Sequence, residues 1–197
     1  MLKQNESLSA TIKDTTYNYY RRSIRLKNYD YSQPGAYFIT ICTRNRECLF
    51  GKIVNDEMVL NDAGDIIRRY WGAIPVHYPN VQLDEFIVMP NHIHGILILN
   101  ENTVGVQNFE PLQIHQKIKP KQNRFQHIIP DSIGSIVRGF KIGVTKWFRQ
   151  NTGGIHIVVV WQRNYYEHII RDEIELNKIR EYIVNNPVNW NRDENYI

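Results

Sequence analysis

VQLDEFIVMPNHIHGILIL, from Val81 to Leu99, contains two strand-like runs, Val81 to Met89 and His92 to Leu99, separated by Pro90 and Asn91. Both runs are rich in β-branched and aromatic residues, and Pro-Asn favours a tight connection, so the stretch predicts a hairpin. Upstream, GAYFITICT at Gly35 to Thr43 follows a Gln33-Pro34-Gly35 turn signal and predicts a first strand, with a second short strand around Leu49 to Val54. Ahead of the hairpin, Asn61 offers an N-cap to a helix with Ile66, Ile67, Tyr70 and Trp71 at helical spacing, limited by Pro75. Beyond it, Asp131 or Ser132 caps a helix carrying Ile133, Ile136, Val137, Phe140, Val144, Trp147 and Phe148, which Gly153-Gly154 ends. Ile155 to Gln162 predicts another strand. A last helix, from about Asp172 to Asn185, repeats Leu176, Ile179 and Ile183 before Pro187 stops it.

With the Leu49 strand as an extra hairpin, the order is strand, helix, strand, strand, helix, strand and a final helix. That order predicts an α+β, ferredoxin-like fold, a split βαβ (RRM-like) antiparallel sheet with helices on one face. The fold alone assigns no activity.

A length of 197 residues suits one domain, and 42% hydrophobic, 22% charged and 12% aromatic residues exclude a disordered chain or a coiled-coil rod. The longest apolar stretches, such as Ile96 to Leu99 and Ile155 to Trp161, fall short of the roughly 20 residues of a membrane helix. The opening MLKQNESLSATIKD is polar where a signal peptide is apolar, so the expected location is the cytoplasm, with no membrane partner. Two cysteines, Cys42 and Cys48, make neither a disulfide framework nor a four-ligand zinc site and read as small buried apolar side chains. Residues 1–20 read as a mobile tail, 21–190 as the domain and 191–197 as a C-terminal tail. The Asn-, Gln-, Lys- and Pro-rich stretch at about 100–130 reads as a surface insertion.

The net charge of +4 is unevenly spread. Arg21, Arg22, Arg25 and Lys27 form one basic cluster; Lys117, Lys119, Lys121, Arg124, Arg138, Lys141, Lys146 and Arg149 form another. Such stripes suit a phosphate backbone, or are ordinary solvated faces.

His92 and His94 lie two apart on a predicted strand, so both imidazoles project from one face and can converge on one metal ion. A His-x-His arises by chance roughly one time in five in a chain with this histidine content, so the pair identifies nothing alone. Tyr182 and Asn186, four apart, share nearly one face of the last helix, and a tyrosinate can attack phosphorus. Equally, Tyr182 suits a core-edge aromatic and Asn186 a helix C-cap.

Three separated motifs add to this reading: MPNHIHGI at Met89 to Ile96, WQRNYYEHIIRDE at Trp161 to Glu173, and REYIVNNPV at Arg180 to Val188. Together they resemble the single-tyrosine HUH transposases, most closely the REP-associated tyrosine transposases, with FITICTRNR at Phe38 to Arg46 in the first-strand position. The likeness runs from about Arg21 to Trp190 and omits the insertion. It implies a metal-dependent endonuclease and strand transferase acting on single-stranded or hairpin DNA, as a monomer or homodimer. It further implies His92 and His94 as ligands of Mg²⁺ or Mn²⁺. Tyr182, on an additional C-terminal helix, would be the nucleophile that takes the 5′-phosphate, and Asn186 a third polar ligand where many relatives carry Gln. Tyr165, Tyr166 and His168 then read as supporting or DNA-contacting residues. Arg21, Arg22, Arg25, Lys117, Lys119, Lys121, Arg124, Arg138, Lys141 and Lys146 read as strand-holding cations. A non-catalytic hairpin-binding protein of the same fold explains the basic stripes but not the joint presence of His92, His94 and Tyr182. A zinc hydrolase lacks an evident third ligand.

Overall fold

The computed structural model describes residues 29–101, 129–151 and 159–196. Four strands form one antiparallel sheet in the order β4-β5-β1-β6: β1 (Gly35–Cys42), β4 (Val81–Val88), β5 (His92–Leu99) and β6 (Tyr166–Ile170). A separate hairpin, β2 (Gly51–Val54) and β3 (Glu57–Leu60), turns at Asn55 and Asp56, whose φ of 51° and 63° are the left-handed values of a tight two-residue turn. The helices are α1 (Asp62–Gly72), the short α2 (Ile74–His77), α3 (Ile133–Asn151) and α4 (Glu173–Val184). This is the expected ferredoxin-like arrangement.

Side-chain alternation decides which layer each helix joins. Tyr37, Ile39 and Ile41 of β1 and Ile93, Leu97 and Leu99 of β5 face α1 and α3, which contribute Ile67, Trp71, Ile133, Ile136, Phe140 and Val144 to the main core. The intervening residues Phe38, Ile96 and Ile170 face the other way and pack with Ile183 of α4. Both faces of β5 are therefore covered, which accounts for its nearly unbroken apolar sequence. The caps behave as their residue types predict: Asn61 accepts from the Gly64 N–H at 3.0 Å, Ser132 from Ser135 at 3.3 Å, and Asp172 from Glu175 at 2.8 Å.

Gly95 sits under the stacked rings of Trp71 and Phe86, whose centroids are 4.6 Å apart, and a Cβ there would run into Trp71. Gly95→Ala should therefore cost about 1–3 kcal/mol by overpacking, read as a lower urea midpoint with unchanged slope.

The last strand lies elsewhere than expected. Of Ile155 to Gln162, residues 155–158 fall outside the described residues, and the described part holds only one bridge, Trp161 to Thr43. The fourth strand of the described sheet is Tyr166–Ile170, with which Ala36 to Thr40 of β1 pair. Val160 is buried and Trp161 turns inward against Phe50 and Phe140, and the chain bends before it pairs again. At that bend the Lys141 ammonium donates to the Gln162 carbonyl at 2.6 Å, with the Arg163 and Asn164 carbonyls at 3.5 and 3.4 Å. The expected buried cysteines differ as well: Cys42 is half-buried and Cys48 exposed, and both are free thiols.

Candidate active site

The β1–β5 register sets Thr40 opposite His94 and Cys42 opposite His92. Period-two alternation puts both histidines on the face that α4 covers, beside the Pro90-Asn91 connection. Both are buried, and their Nε2 atoms lie 3.0 Å apart. His92 Nδ1 meets Asn91 Oδ1 at 2.8 Å and His94 Nδ1 meets the Thr40 hydroxyl at 2.8 Å, so each ring is held from behind with Nε2 forward.

α4 delivers Tyr182 to the same place, its hydroxyl 3.2 Å from His94 Nε2 and 3.4 Å from Asp193 Oδ2. The helix ends at Val184, so Asn186 reaches the site from the following turn while Asn185 takes the C-cap position. Asn186 Nδ2 donates to Asp193 Oδ2 at 3.0 Å. Asp193, which no motif pointed to, brings the same oxygen within 3.9 Å of both histidine Nε2 atoms. One chain thus supplies every one of these groups.

Two pairings hold α4 against the sheet. Arg180 grips Asp84 with Nε and Nη2 at 2.8 and 2.5 Å, while Glu175 accepts from the Arg171 N–H at 2.8 Å and lies 2.7 Å from His168 Nε2. Asp84→Ala should lower stability by about 1 kcal/mol, seen calorimetrically as a Tm decrease of about 2–4 °C.

The electrostatics follow from burial. Burial, with His94 alongside, pushes His92 down to about 3, and burial also lowers His94 against the pull of Asp193. Both rings are therefore neutral near pH 7, the form that ligates metals. Burial, reinforced by the Asp193 charge, pushes the Tyr182 phenol up to about 12. Burial raises Asp193, but His94, the Asn186 amide and the Asn195 N–H outweigh it and hold the carboxyl well below the usual range. The cluster therefore combines two neutral imidazoles, one carboxylate and a protonated phenol.

The donor set fits a divalent ion. His92, His94 and Asp193 can each turn one ligand atom to a common point. Asn186 Oδ1 is buried with no hydrogen-bond partner among the described residues, an acceptor left for a ligand. Imidazole nitrogen with amide and carboxylate oxygen is a mixed set that admits Mg²⁺ or Mn²⁺.

The other expected residues are scattered. Tyr166 is 46% exposed, with its ring edge-on to Phe38 at 6.2 Å, and Tyr182 meets the same ring at 6.1 Å. Tyr165 packs against the main core. Arg138 and Lys146 are exposed on α3, across the sheet from α4, and the Lys141 ammonium is engaged by the 162–164 loop. Arg21, Arg22, Arg25, Lys117, Lys119, Lys121 and Arg124 lie outside the described residues.

An antiparallel α+β sheet bearing a His-x-His strand under a helix-borne tyrosine matches the class that the motifs resembled. No family model matches the chain. It is 50% identical over 186 residues to an uncharacterised protein of Haemophilus influenzae, covering 93% of this chain and 98% of that one, and the two belong to one family. It is 26% identical over 165 residues to a second Haemophilus influenzae protein, provisionally named a REP-associated tyrosine transposase, covering 83% and 77% of the two chains. Its fold matches that of a REP-associated tyrosine transposase bound to a REP hairpin, with a TM-score of 0.53 and 21% identity over 85% of this chain and 74% of that one. The chain is thus similar to a provisionally named REP-associated tyrosine transposase in sequence over 83% of its length, and to a REP-associated tyrosine transposase of known structure in fold.

Proposed function

We propose that the protein is an endonuclease and strand transferase that cleaves and rejoins single-stranded or hairpin DNA through a covalent bond between Tyr182 and a 5′-phosphate. The observation that carries this reading is the Tyr182 hydroxyl standing 3.2 Å from His94 Nε2, beside the group of His92, Asn186 and Asp193. In the forward step the phenolic oxygen bonds to phosphorus as the bond to the 3′-oxygen breaks; the phenol gives up its proton and the leaving oxygen takes one from solvent. The phosphotyrosine is still a phosphodiester, so a 3′-hydroxyl can attack it and restore the tyrosine. Asp193 and His94 orient the hydroxyl, and β1 with Phe38 supports the ring from below.

Mg²⁺ or Mn²⁺, held by His92, His94 and Asn186 with Asp193 as a further oxygen donor, would supply charge neutralisation at the scissile phosphate. The exposed Tyr166 ring would stack on an unpaired base. The basic residues of the N-terminal cluster and the insertion, with Arg138 and Lys146 of α3, are assigned to the DNA backbone, and a cytoplasmic location accords with such a substrate. No described helix is long and apolar enough to cross a membrane.

The test incubates the protein with labelled hairpin DNA carrying single-stranded flanks, with Mg²⁺ or Mn²⁺. A denaturant-resistant protein–DNA adduct that maps to Tyr182 is the expected result. Tight hairpin binding without an adduct under either ion identifies the non-catalytic binder instead.

A further inference from the structure

We propose that Asn91 is a positioning residue of this site, holding His92 as the Nδ1–H tautomer and tying the histidine strand to the C-terminal segment that carries Asp193. The functional meaning of this inference rests on the reading above; its structural content does not.

Asn91 is fully buried between the two strands of the hairpin. Its Nδ2 lies 3.1 Å from the Arg46 carbonyl and 2.7 Å from the Asn195 carbonyl, partners 45 and 104 positions away in sequence. Carbonyl oxygens only accept, so the amide must turn its NH₂ toward both, and each of its two hydrogens is used. Oδ1 is then the atom facing His92 Nδ1 at 2.8 Å. An amide oxygen also only accepts, so Nδ1 carries the proton of the neutral ring and Nε2 presents a bare lone pair toward His94. A residue without the amide's paired donor and acceptor cannot meet all three neighbours.

The two carbonyls are brought there by local backbone. Asn45 and Arg46 both adopt left-handed φ values, 55° and 58°, at the turn after β1. On the other side, Asn195 donates its own N–H to Asp193 Oδ1 at 2.6 Å, so the peptide that Asn91 grips by its carbonyl belongs to the residue that orients the carboxylate. Arg46 reinforces the attachment through the Glu194 carbonyl, and the Cys42 thiol lies 3.3 Å from Asn195 Oδ1. Asn91 is thus the junction through which the placement of His92 and that of Asp193 depend on one another.

Long-range ¹H–¹⁵N spectra of the metal-free protein read the tautomer directly. Wild-type His92 should carry its proton on Nδ1. Asn91→Asp keeps an acceptor behind the ring but loses both donors, so the tautomer should persist while hydrogen exchange at the Asn195 N–H accelerates at least about tenfold. Asn91→Ala removes the acceptor, so the proton should redistribute toward Nε2 and calorimetric Mn²⁺ binding should weaken about 10- to 100-fold. A wild-type His92 protonated on Nε2, or Asn91→Ala with unchanged tautomer and Mn²⁺ affinity, overturns the tautomer role. Unchanged exchange in Asn91→Asp overturns the tie to the C-terminal segment. The wild-type spectrum decides even where the alanine variant does not fold. None of these readouts uses DNA, so a wild type that forms no adduct removes the proposed function and leaves this inference to its own result.

Discussion

Tyr182→Phe should form no covalent DNA adduct and cleave no strand, a loss of at least about 10³-fold, while the fold and hairpin affinity change little. The substitution deletes one oxygen and keeps the ring that meets Phe38 edge-on and His94 at a centroid distance of 5.2 Å. The hydroxyl's hydrogen bonds to His94 and Asp193 are lost, but the site is partly open there, with Tyr182 46% exposed, so water can replace them. Tyr166→Phe is the informative control. Tyr166 flanks the same phenylalanine from β6, whereas it is the Tyr182 hydroxyl that stands 3.2 Å from His94 Nε2. Tyr166→Phe should retain the adduct, with at most a modest slowing, as should Tyr165→Phe. Mass spectrometry of the adduct peptide gives the answer independently, and DNA found on Tyr165 or Tyr166 sinks the assignment of Tyr182.

The second large effect is expected at the histidines. His92→Ala and His94→Ala should each lower divalent-ion-dependent cleavage by at least about 10²-fold, because each removes one of two neutral imidazoles whose Nε2 atoms converge at 3.0 Å. Chelation of the wild type should have the same outcome, reversed by adding Mn²⁺, whereas Mn²⁺ should not rescue either variant. Hairpin binding should survive in all of them, since phosphate contacts and base stacking supply affinity without the ion. Full cleavage by both single variants would show that the pair is a structural feature of the β5 strand. Because both rings are buried, the variants need a folding check by circular dichroism before their activity is read.

Much of this architecture was legible before any coordinates. Alternation along His92-Ile93-His94 is a local property of extended backbone, so it placed both imidazoles on one face irrespective of what lay above them. Asn61 and Ser132 capped helices where their side-chain oxygens can reach the free N–H groups, and the apolar spacing of each helix selected its buried stripe. Tyr182 stood out by its place one turn before Asn186 and by the motif around it, but its position beside an apolar stripe also suited a core-edge residue.

What the sequence could not show depends on contacts between distant segments. Strand propensity favoured the β-branched run ending at Gln162, yet Trp161 was claimed by the core and pairing with β1 resumed only at Tyr166, a choice made by packing against Phe50 and Phe140. Lys141, one of the expected phosphate-binding cations, is held instead by backbone carbonyls at the resulting bend. Asp193 carried no signal, because its arrival beside the histidines requires the chain to reverse after α4 and run back to Arg46 and Asn91. Local spacing therefore determined the strand that bears the histidines and the helix that bears the tyrosine. Only tertiary structure, by closing loops of tens of residues, decided that the two meet and which buried amide and carboxylate complete the site.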